Sequence, residues 1–198
     1  MSDSQRLPPE VLEARARALS QPGQAVIETF ESFGQDAHLL FHCGEQRLLI
    51  KLDRIQEVLK GQAVTRVPCV GPAVAGIVNV RGTIVDVVAL GRFMGLGPDP
   101  DSTVAPLRAV VLLCDVGGAV LGLLVDDVIG ILSVATAAIE KPPDSLPPGW
   151  RAVVEGVVRY GEERQHVAPC VNPGSVFASP IFDGVRHGPP SSTRSDVP

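Results

Sequence analysis

The chain has 198 residues, a net charge of −5 and a slightly positive mean hydropathy, which is enough apolar material for one large domain or two intertwined small ones. The negative charge argues against an electrostatic nucleic-acid binder, and no apolar run approaches the ~20 residues of a membrane-spanning helix. Because the first residues also lack the pattern of a signal peptide, the sequence predicts a cytoplasmic protein.

Residues 1–35 are predicted to form an N-terminal helix and a connector. Pro8 and Pro9 precede the helical pattern EVLEARARALS, where proline suits a helix start, and Pro22 and Gly23 follow its end. The apolar stripe of this helix is narrow. Two interpretations remain open: a short helix packed against the outside of the domain or frayed from it, and a docking helix for another protein.

From residue 36 onward the chain alternates short runs of β-favouring residues with glycine or proline. The predicted strands are His38–Cys43, Arg47–Leu52, Val58–Leu59, Ile77–Val80, Thr83–Val88, Leu107–Cys114, Ala119–Val125, Ile129–Val134, Val153–Tyr160 and Gln165–Ala168. Strands this short, with no helix of crossover length between them, predict an all-β fold built as an antiparallel barrel or sandwich.

The most informative stretch is a predicted hairpin with the dipeptide Arg81-Gly82 at its turn. Runs of β-branched residues flank the dipeptide, and glycine permits the positive φ that a two-residue turn requires. The core-facing side is expected to carry Val78, Val80, Thr83, Val85 and Val87. The opposite, mixed side is expected to carry Ile77, Asn79, Ile84, Asp86 and Val88. With Arg81 presented at the apex to water or to a partner, the hairpin is interpreted as a binding element.

An internal repeat divides the strand-rich region. The segment Ile50–Leu59 recurs as Leu123–Leu132, and Gly76–Val80 is echoed by Gly156–Tyr160. Two copies of one unit predict two similar barrels of roughly five strands each. The first barrel is expected mainly in residues 36–95 and the second mainly in 107–168, within one domain of residues 36–178. Residues 172–178 are expected to form a turn of helix, and residues 179–198, rich in Pro, Gly and Ser, a disordered tail.

Two aspartates repeat with the first of these motifs. Asp53 and Asp126 each stand where a predicted strand ends and a turn begins. Because an aspartate side chain readily hydrogen-bonds backbone amides in a turn, a structural role is favoured over a catalytic one.

No constellation of residues indicates catalysis or metal binding. Four cysteines are spread singly along the chain, without the CxxC spacing of a zinc or redox site. His38 and His42 share a strand face but are ~13 Å apart along it, too far for one ion. Since no nucleophile or phosphate-loop motif is present either, the sequence predicts a protein that is not an enzyme and needs no cofactor.

Several motifs, in order, resemble the CheW family of bacterial chemosensory coupling proteins. VAGIVNVRGTIVDVVAL is similar to the family's GVxNLRGxVVPVxDL signature, IKLDRIQEVLKGQAVTRVP to its VTRVP segment, and LGLLVDDVIGILSV to its VGxxVDxVxxVL segment. The resemblance covers Ala37 to Phe177, with departures at Asp86, Ala89 and residues 167–169. It implies a fold of two SH3-like five-stranded β-barrels sharing one core.

The resemblance also implies a function and a site. The function is a non-catalytic scaffold that joins the regulatory domain of a CheA-type histidine kinase to the cytoplasmic tip of methyl-accepting chemoreceptors. The receptor-binding positions carried onto this sequence are Ile55, Gly76, Asn79 and Arg81. The positions in a segment shared between receptor and kinase contact are Glu57 and Val58. An apolar groove for a receptor helix is expected to be lined by Ile77, Ile84 and Ile55.

Two other functions remain open from the sequence. In one, the barrels hold a small ligand or a metal and the similarity to the family is architectural only. In the other, the chain is a divergent paralogue that serves a chemosensory pathway other than chemotaxis.

Overall fold

The computed structural model describes residues 36–68, 70–96 and 110–180. The predicted N-terminal helix and connector lie outside the described residues, as does the predicted tail after Pro180. No helix in the described ranges is long and apolar enough to span a membrane.

Short strands make up most of the described chain. The strands are β1 Ala37–Cys43, β2 Gln46–Lys51, β3 Ile55–Lys60, β4 Val74–Val80, β5 Thr83–Ala89, β6 Val110–Asp115, β7 Val120–Val125, β8 Asp127–Ser133, β9 Ile139–Glu140, β10 Val154–Tyr160 and β11 His166–Val171. The α-helices are α1 Leu90–Phe93, α2 Pro148–Arg151 and α3 Pro173–Phe177, and 3-10 turns occupy Leu52–Arg54 and Thr136–Ala138. The all-β prediction is confirmed, and α3 lies where a turn of helix was expected.

The strands form two sheets with the same plan. The first sheet has the order β8-β1-β2-β11-β10-β9 and the second has the order β3-β6-β7-β5-β4. In each sheet an edge strand joins one antiparallel hairpin, which then pairs in parallel with a second hairpin. An isolated bridge between Thr65 and Ile77 flanks β4 in the way that β9 flanks β10. The internal repeat in the sequence is therefore a repeat of strand arrangement.

The sheets do not follow the expected division of the chain at residues 95 and 107. The hairpin β1–β2 belongs to the first sheet, whose other strands come from the second repeat, and β6–β7 completes the second sheet. The chain passes from one sheet to the other at each copy of the repeated aspartate motif. It leaves the first sheet at Leu52–Arg54 and returns to it at Asp126. Each repeat thus exchanges its first hairpin with the other.

Three apolar clusters fill the fold. A shared core contains side chains from both sheets, among them Phe41 and Leu48 from the first and Leu112 and Leu121 from the second. A first inner cluster is built around Leu40 by the first sheet and the segment that follows β8, and a second inner cluster is built by strands of the second sheet. Because alternate residues of a strand point to opposite faces, each sheet supplies both the shared core and its own inner cluster.

The predicted hairpin is present as β4–β5 with Val80 opposite Thr83. Arg81 and Gly82 have positive φ angles of 50° and 88°, as a two-residue turn with this twist requires. The burial of two hairpin residues differs from the expectation. Thr83 is exposed because it adjoins the turn, and Val88 is fully buried because it reaches the shared core.

Candidate docking site at the β4–β5 hairpin tip

The tip of the β4–β5 hairpin is tied to the edge strand β3 by an ion pair. Arg81 Nη2 lies 3.1 Å from Glu57 Oε1 and donates a hydrogen bond to it. The Arg81 side chain is 69% exposed, whereas the Glu57 side chain is only 10% exposed. Arg81 therefore faces solvent, as expected, but its guanidinium is held in place by a nearly buried carboxylate. Composition and spacing alone did not single out this partnership.

The turn itself is fixed by a side chain of β4. Asn79 Oδ1 accepts a hydrogen bond from the Gly82 backbone N–H at 2.8 Å. This hydrogen bond from the Asn79 side chain stabilises the backbone of the turn. It thereby sets the direction in which the Arg81 side chain leaves the hairpin. Asn79 is itself exposed.

Gly76 lies where a neighbouring segment crosses β4 at close range. Thr65 and Ile77 exchange two backbone hydrogen bonds of 2.8 Å each. Gly76 has a φ of +142°, and a Cβ placed there would lie 2.1 Å from the Thr65 carbonyl oxygen. Since Gly76 is buried as well, its absence of a side chain is needed for this crossing, and its part in any docking is indirect.

Apolar surface accompanies the cation on the outer face of the hairpin. Ile84 is 59% exposed and lies directly opposite Asn79, while half-buried Ile77 is the diagonal neighbour of Ile84. Ile55 does not join them, because its side chain is buried in the shared core, as is that of Val58. The structure thus does not form the expected groove of three isoleucines.

We define the hairpin-tip surface as Arg81, Asn79, Ile84 and Ile77, with Glu57 beneath Arg81. Its accessible side chains offer one oriented guanidinium, one amide and two isoleucines. An arginine beside apolar contacts is the composition in which the energy of a protein interface concentrates. Among the sequence-predicted site residues, Ile55, Val58 and Gly76 are buried and are not part of this surface.

The repeated aspartates have different contacts. Asp126 Oδ2 accepts a hydrogen bond of 2.5 Å from the backbone N–H of Gly44, which lies in the β1–β2 turn. Asp53 instead pairs with Lys51 at 2.8 Å and with Arg54 at 3.8 Å, on the surface. Both roles are structural, although Asp126 acts on a distant turn rather than on its own.

The thiols of the described cysteines are poorly suited to reaction. Burial raises the pKa of Cys43, Cys114 and Cys170 to about 12 in each case, so these thiols are protonated near neutral pH. Within the described ranges, no group of three or more His, Cys, Asp or Glu side chains is placed to hold a metal ion.

Comparison with known proteins gives one consistent result. The family model described as CheW-like domain matches residues 37–180. The chain is 27% identical over 120 residues to the chemotaxis protein CheW of Rhizobium meliloti, covering 61% of this chain and 75% of that protein. It is 28% identical over 103 residues to protein FrzA of Myxococcus xanthus, covering 52% of this chain and 62% of that protein.

A solved structure supports the fold. The scaffolding protein TtCheW from Thermoanaerobacter tengcongensis matches with a TM-score of 0.64, covering 75% of this chain and 96% of that one. At 21% sequence identity, this similarity concerns the arrangement of strands alone.

Proposed function

The chain belongs to the CheW-like domain family, and on that premise we propose that it couples a CheA-type histidine kinase to methyl-accepting chemoreceptors. Family membership makes it a non-catalytic scaffold of chemotaxis signalling. The finer proposal is that one face binds the receptor's cytoplasmic tip and another face binds the kinase regulatory domain. These partners would bring the protein to the receptor arrays at the membrane.

The observation that carries the receptor half of the proposal is the hairpin-tip surface. Arg81 is presented to solvent in one orientation by Glu57, and Ile84 beside it is 59% exposed. A helical hairpin at a receptor tip offers carboxylates and carbonyl oxygens to the guanidinium and an apolar stripe to the isoleucines. Because Arg81 is already oriented, less side-chain entropy is lost when the partner binds.

Titration of the protein with a receptor hairpin fragment and, separately, with the kinase regulatory domain tests this proposal. Arg81→Ala should weaken receptor association by roughly 1–3 kcal/mol, the range for hydrogen bonds to charged groups. Ile84→Asp should weaken it as well, and this exposed position carries little folding cost. Binding of the kinase domain should survive both changes if that contact lies on another face.

Arg164→Ala is the matched control. Arg164 is an exposed arginine in the β10–β11 turn with a positive φ of 53°, close to the 50° of Arg81. Its replacement should leave receptor association unchanged. Equal loss toward receptor and kinase after Arg81→Ala would contradict the two-face model, and an unchanged receptor affinity in both hairpin-tip variants would remove this surface from the site.

A further inference from the structure

The two sheets differ at one equivalent position near the open end of each inner cluster. Glu57 of β3 lies opposite Leu113, and Gly130 of β8 lies opposite Leu40. Leu113 and Leu40 belong to the inner clusters of their respective sheets. Because directly paired residues share a face, Gly130 occupies in the first sheet the place that Glu57 occupies in the second.

The place of the carboxylate is empty in the first sheet. A Cβ built at Gly130 would meet no atom within 4 Å, which indicates open space beside the first inner cluster. The residue equivalent to Arg81 is Gly161, since Gly76 and Gly156 begin the two echoed segments at the same bulge. Neither side chain of the Arg81–Glu57 pair therefore has a counterpart there.

Polar side chains replace apolar ones around this open end. Arg47 and His42 are paired at the end of β1–β2, and Tyr160 and His166 are paired at the end of β10–β11. Arg47 Nη1 donates a hydrogen bond of 3.2 Å to the Tyr160 hydroxyl, and the Tyr160 and His166 rings lie 5.3 Å apart. We call these four residues, with Gly130, the first-sheet mouth.

The equivalent end of the second sheet has valines at two of these four places and Thr83 and Asp115 at the other two. Val80 and Thr83 close the β4–β5 hairpin where Tyr160 and His166 close β10–β11, and Val80 packs against the second inner cluster. Val120 stands in the place of Arg47 and packs against the same cluster. The second sheet has valines and its own glutamate at this end, whereas the first sheet has the donors Arg47 and Tyr160 there, with the carboxylate of Asp127 opposite His42.

The charged side chains at the mouth are Arg47 and, opposite His42, Asp127. Among the described residues, Arg47 makes no ion pair, and its one side-chain hydrogen bond leaves other guanidinium donors available. Asp127 lies opposite His42, but its Oδ1 accepts a hydrogen bond from the Val128 N–H at 2.9 Å. Gly130 lies opposite Leu40, two residues before His42 on β1, and is therefore on the same face of the sheet as the donors of the mouth.

We propose that the first-sheet mouth binds the carboxylate of an acidic side chain from a protein partner, in the place that the chain's own Glu57 fills in the second sheet. The fold itself supplies the occupant's chemistry, because its second copy of this position holds a glutamate paired with an arginine. Arg47 is the main charged donor, with the Tyr160 hydroxyl and the imidazoles of His42 and His166 beside it. This site is separate from the hairpin-tip surface and does not depend on the receptor or the kinase.

The test is a titration of the full chain with the blocked tripeptide Ala-Glu-Ala, followed through the histidine imidazole signals by NMR. The matched probe is blocked Ala-Gln-Ala, which has the same shape without the charge. The glutamate peptide should shift the His42 and His166 signals along a saturating curve, while the signal of buried His38 stays in place. Equal responses to both peptides, or none, would overturn the proposal.

Three variants locate the binding. Arg47→Gln should lower the affinity for the glutamate peptide by about tenfold, as expected for loss of a charged donor. Gly130→Glu should abolish binding by supplying the carboxylate internally, whereas Gly130→Ala should retain it, since a Cβ there meets nothing. Thermal melts confirm that each variant is folded. Binding unaffected by both Arg47→Gln and Gly130→Glu would show that the peptide binds elsewhere.

Discussion

The hairpins β4–β5 and β10–β11 hold equivalent places in the two sheets but present different chemistry at their tips. Both begin at a bulge followed by glycine, and both carry an exposed apolar residue at the same position, Ile84 at 59% and Val167 at 48%. Only β4–β5 adds an arginine anchored by a nearly buried glutamate. The features that the two hairpins share belong to the fold, whereas the anchored arginine is present in only one of them.

The shared glycines provide the largest expected effect. Gly76→Ala should lower the free energy of unfolding by about 3 kcal/mol, because the new Cβ would lie 2.1 Å from a backbone oxygen at a φ of +142°. At the equivalent Gly156 the nearest atom is the Ile139 Cγ2 methyl at 2.3 Å, and the nearest backbone atom, the Glu140 carbonyl oxygen, is farther away at 3.1 Å. Gly156→Ala should therefore cost less, about 1 kcal/mol. Urea denaturation of both variants measures the difference, and equal losses would mean that the crossing segment at Thr65 yields as easily as a side chain.

The anchored arginine should also contribute to stability, contrary to what its exposure alone suggests. Arg81→Ala leaves the nearly buried Glu57 carboxylate without its partner and should cost about 2 kcal/mol in the free energy of unfolding. Adding Glu57→Gln should restore part of that loss, because the buried group is then neutral. Arg164→Ala, in the turn of the other hairpin, should change stability by no more than about 0.5 kcal/mol. No recovery in the double variant would show that the cost arises from the turn rather than from the carboxylate.

The crossing points between the sheets differ in a smaller way. Asp126→Ala removes the hydrogen bond to the Gly44 N–H and should cost about 1 kcal/mol, the scale of a lost helix cap. Asp53→Ala at the other crossing removes only ion pairs on the surface and should cost less. Thermal or urea unfolding of the two variants compares them directly. A larger loss for Asp53→Ala would reverse the assignment of these two roles.

The sequence was sufficient for the features that depend on local patterns. Alternating β-branched residues around Arg81-Gly82 predicted the hairpin and its register, and the repeat predicted two units of similar plan. Each of these features is encoded within a few adjacent residues. The family resemblance added the position of Arg81, at the turn of that hairpin.

The exchange of hairpins and the anchoring of Arg81 were not predictable in the same way. The residues near Leu52–Arg54 and Asp126 do not indicate which sheet the following strand joins. Glu57 and Arg81 are likewise 24 positions apart, and they lie on β3 and at the end of β4, the two edge strands of the second sheet. The burial of Ile55 followed from this exchange, because its strand completes the shared core.

The smallest expected effect concerns the β6–β7 turn, the second-sheet counterpart of the β1–β2 turn. The Asp115 carboxylate accepts hydrogen bonds from the backbone N–H groups of Gly117 at 2.9 Å and Gly118 at 3.4 Å and from Gln56 Nε2 at 3.2 Å. These bonds, that from Gly117 foremost, lower the pKa of Asp115 below its usual 3.8. A carboxyl group whose pKa is lower in the folded chain stabilises the fold above its unfolded pKa, and that contribution disappears as the pH falls through the folded pKa.

Asp115→Asn should therefore be less stable than the unmodified chain at pH 7, and the gap should narrow in acid. The asparagine amide still offers an oxygen to the Gly117 N–H, but it has no negative charge that protonation can neutralise. The free energy of unfolding of this variant therefore lacks the pH-dependent contribution of Asp115. Urea midpoints of both proteins at pH 7 and at about pH 3, below the ordinary carboxyl range, give the comparison. The effect is small because Asp115 lies at the surface, where water competes for the same donors. A gap of the same size at both pH values would show that the three hydrogen bonds do not distinguish the charged carboxylate from the neutral acid.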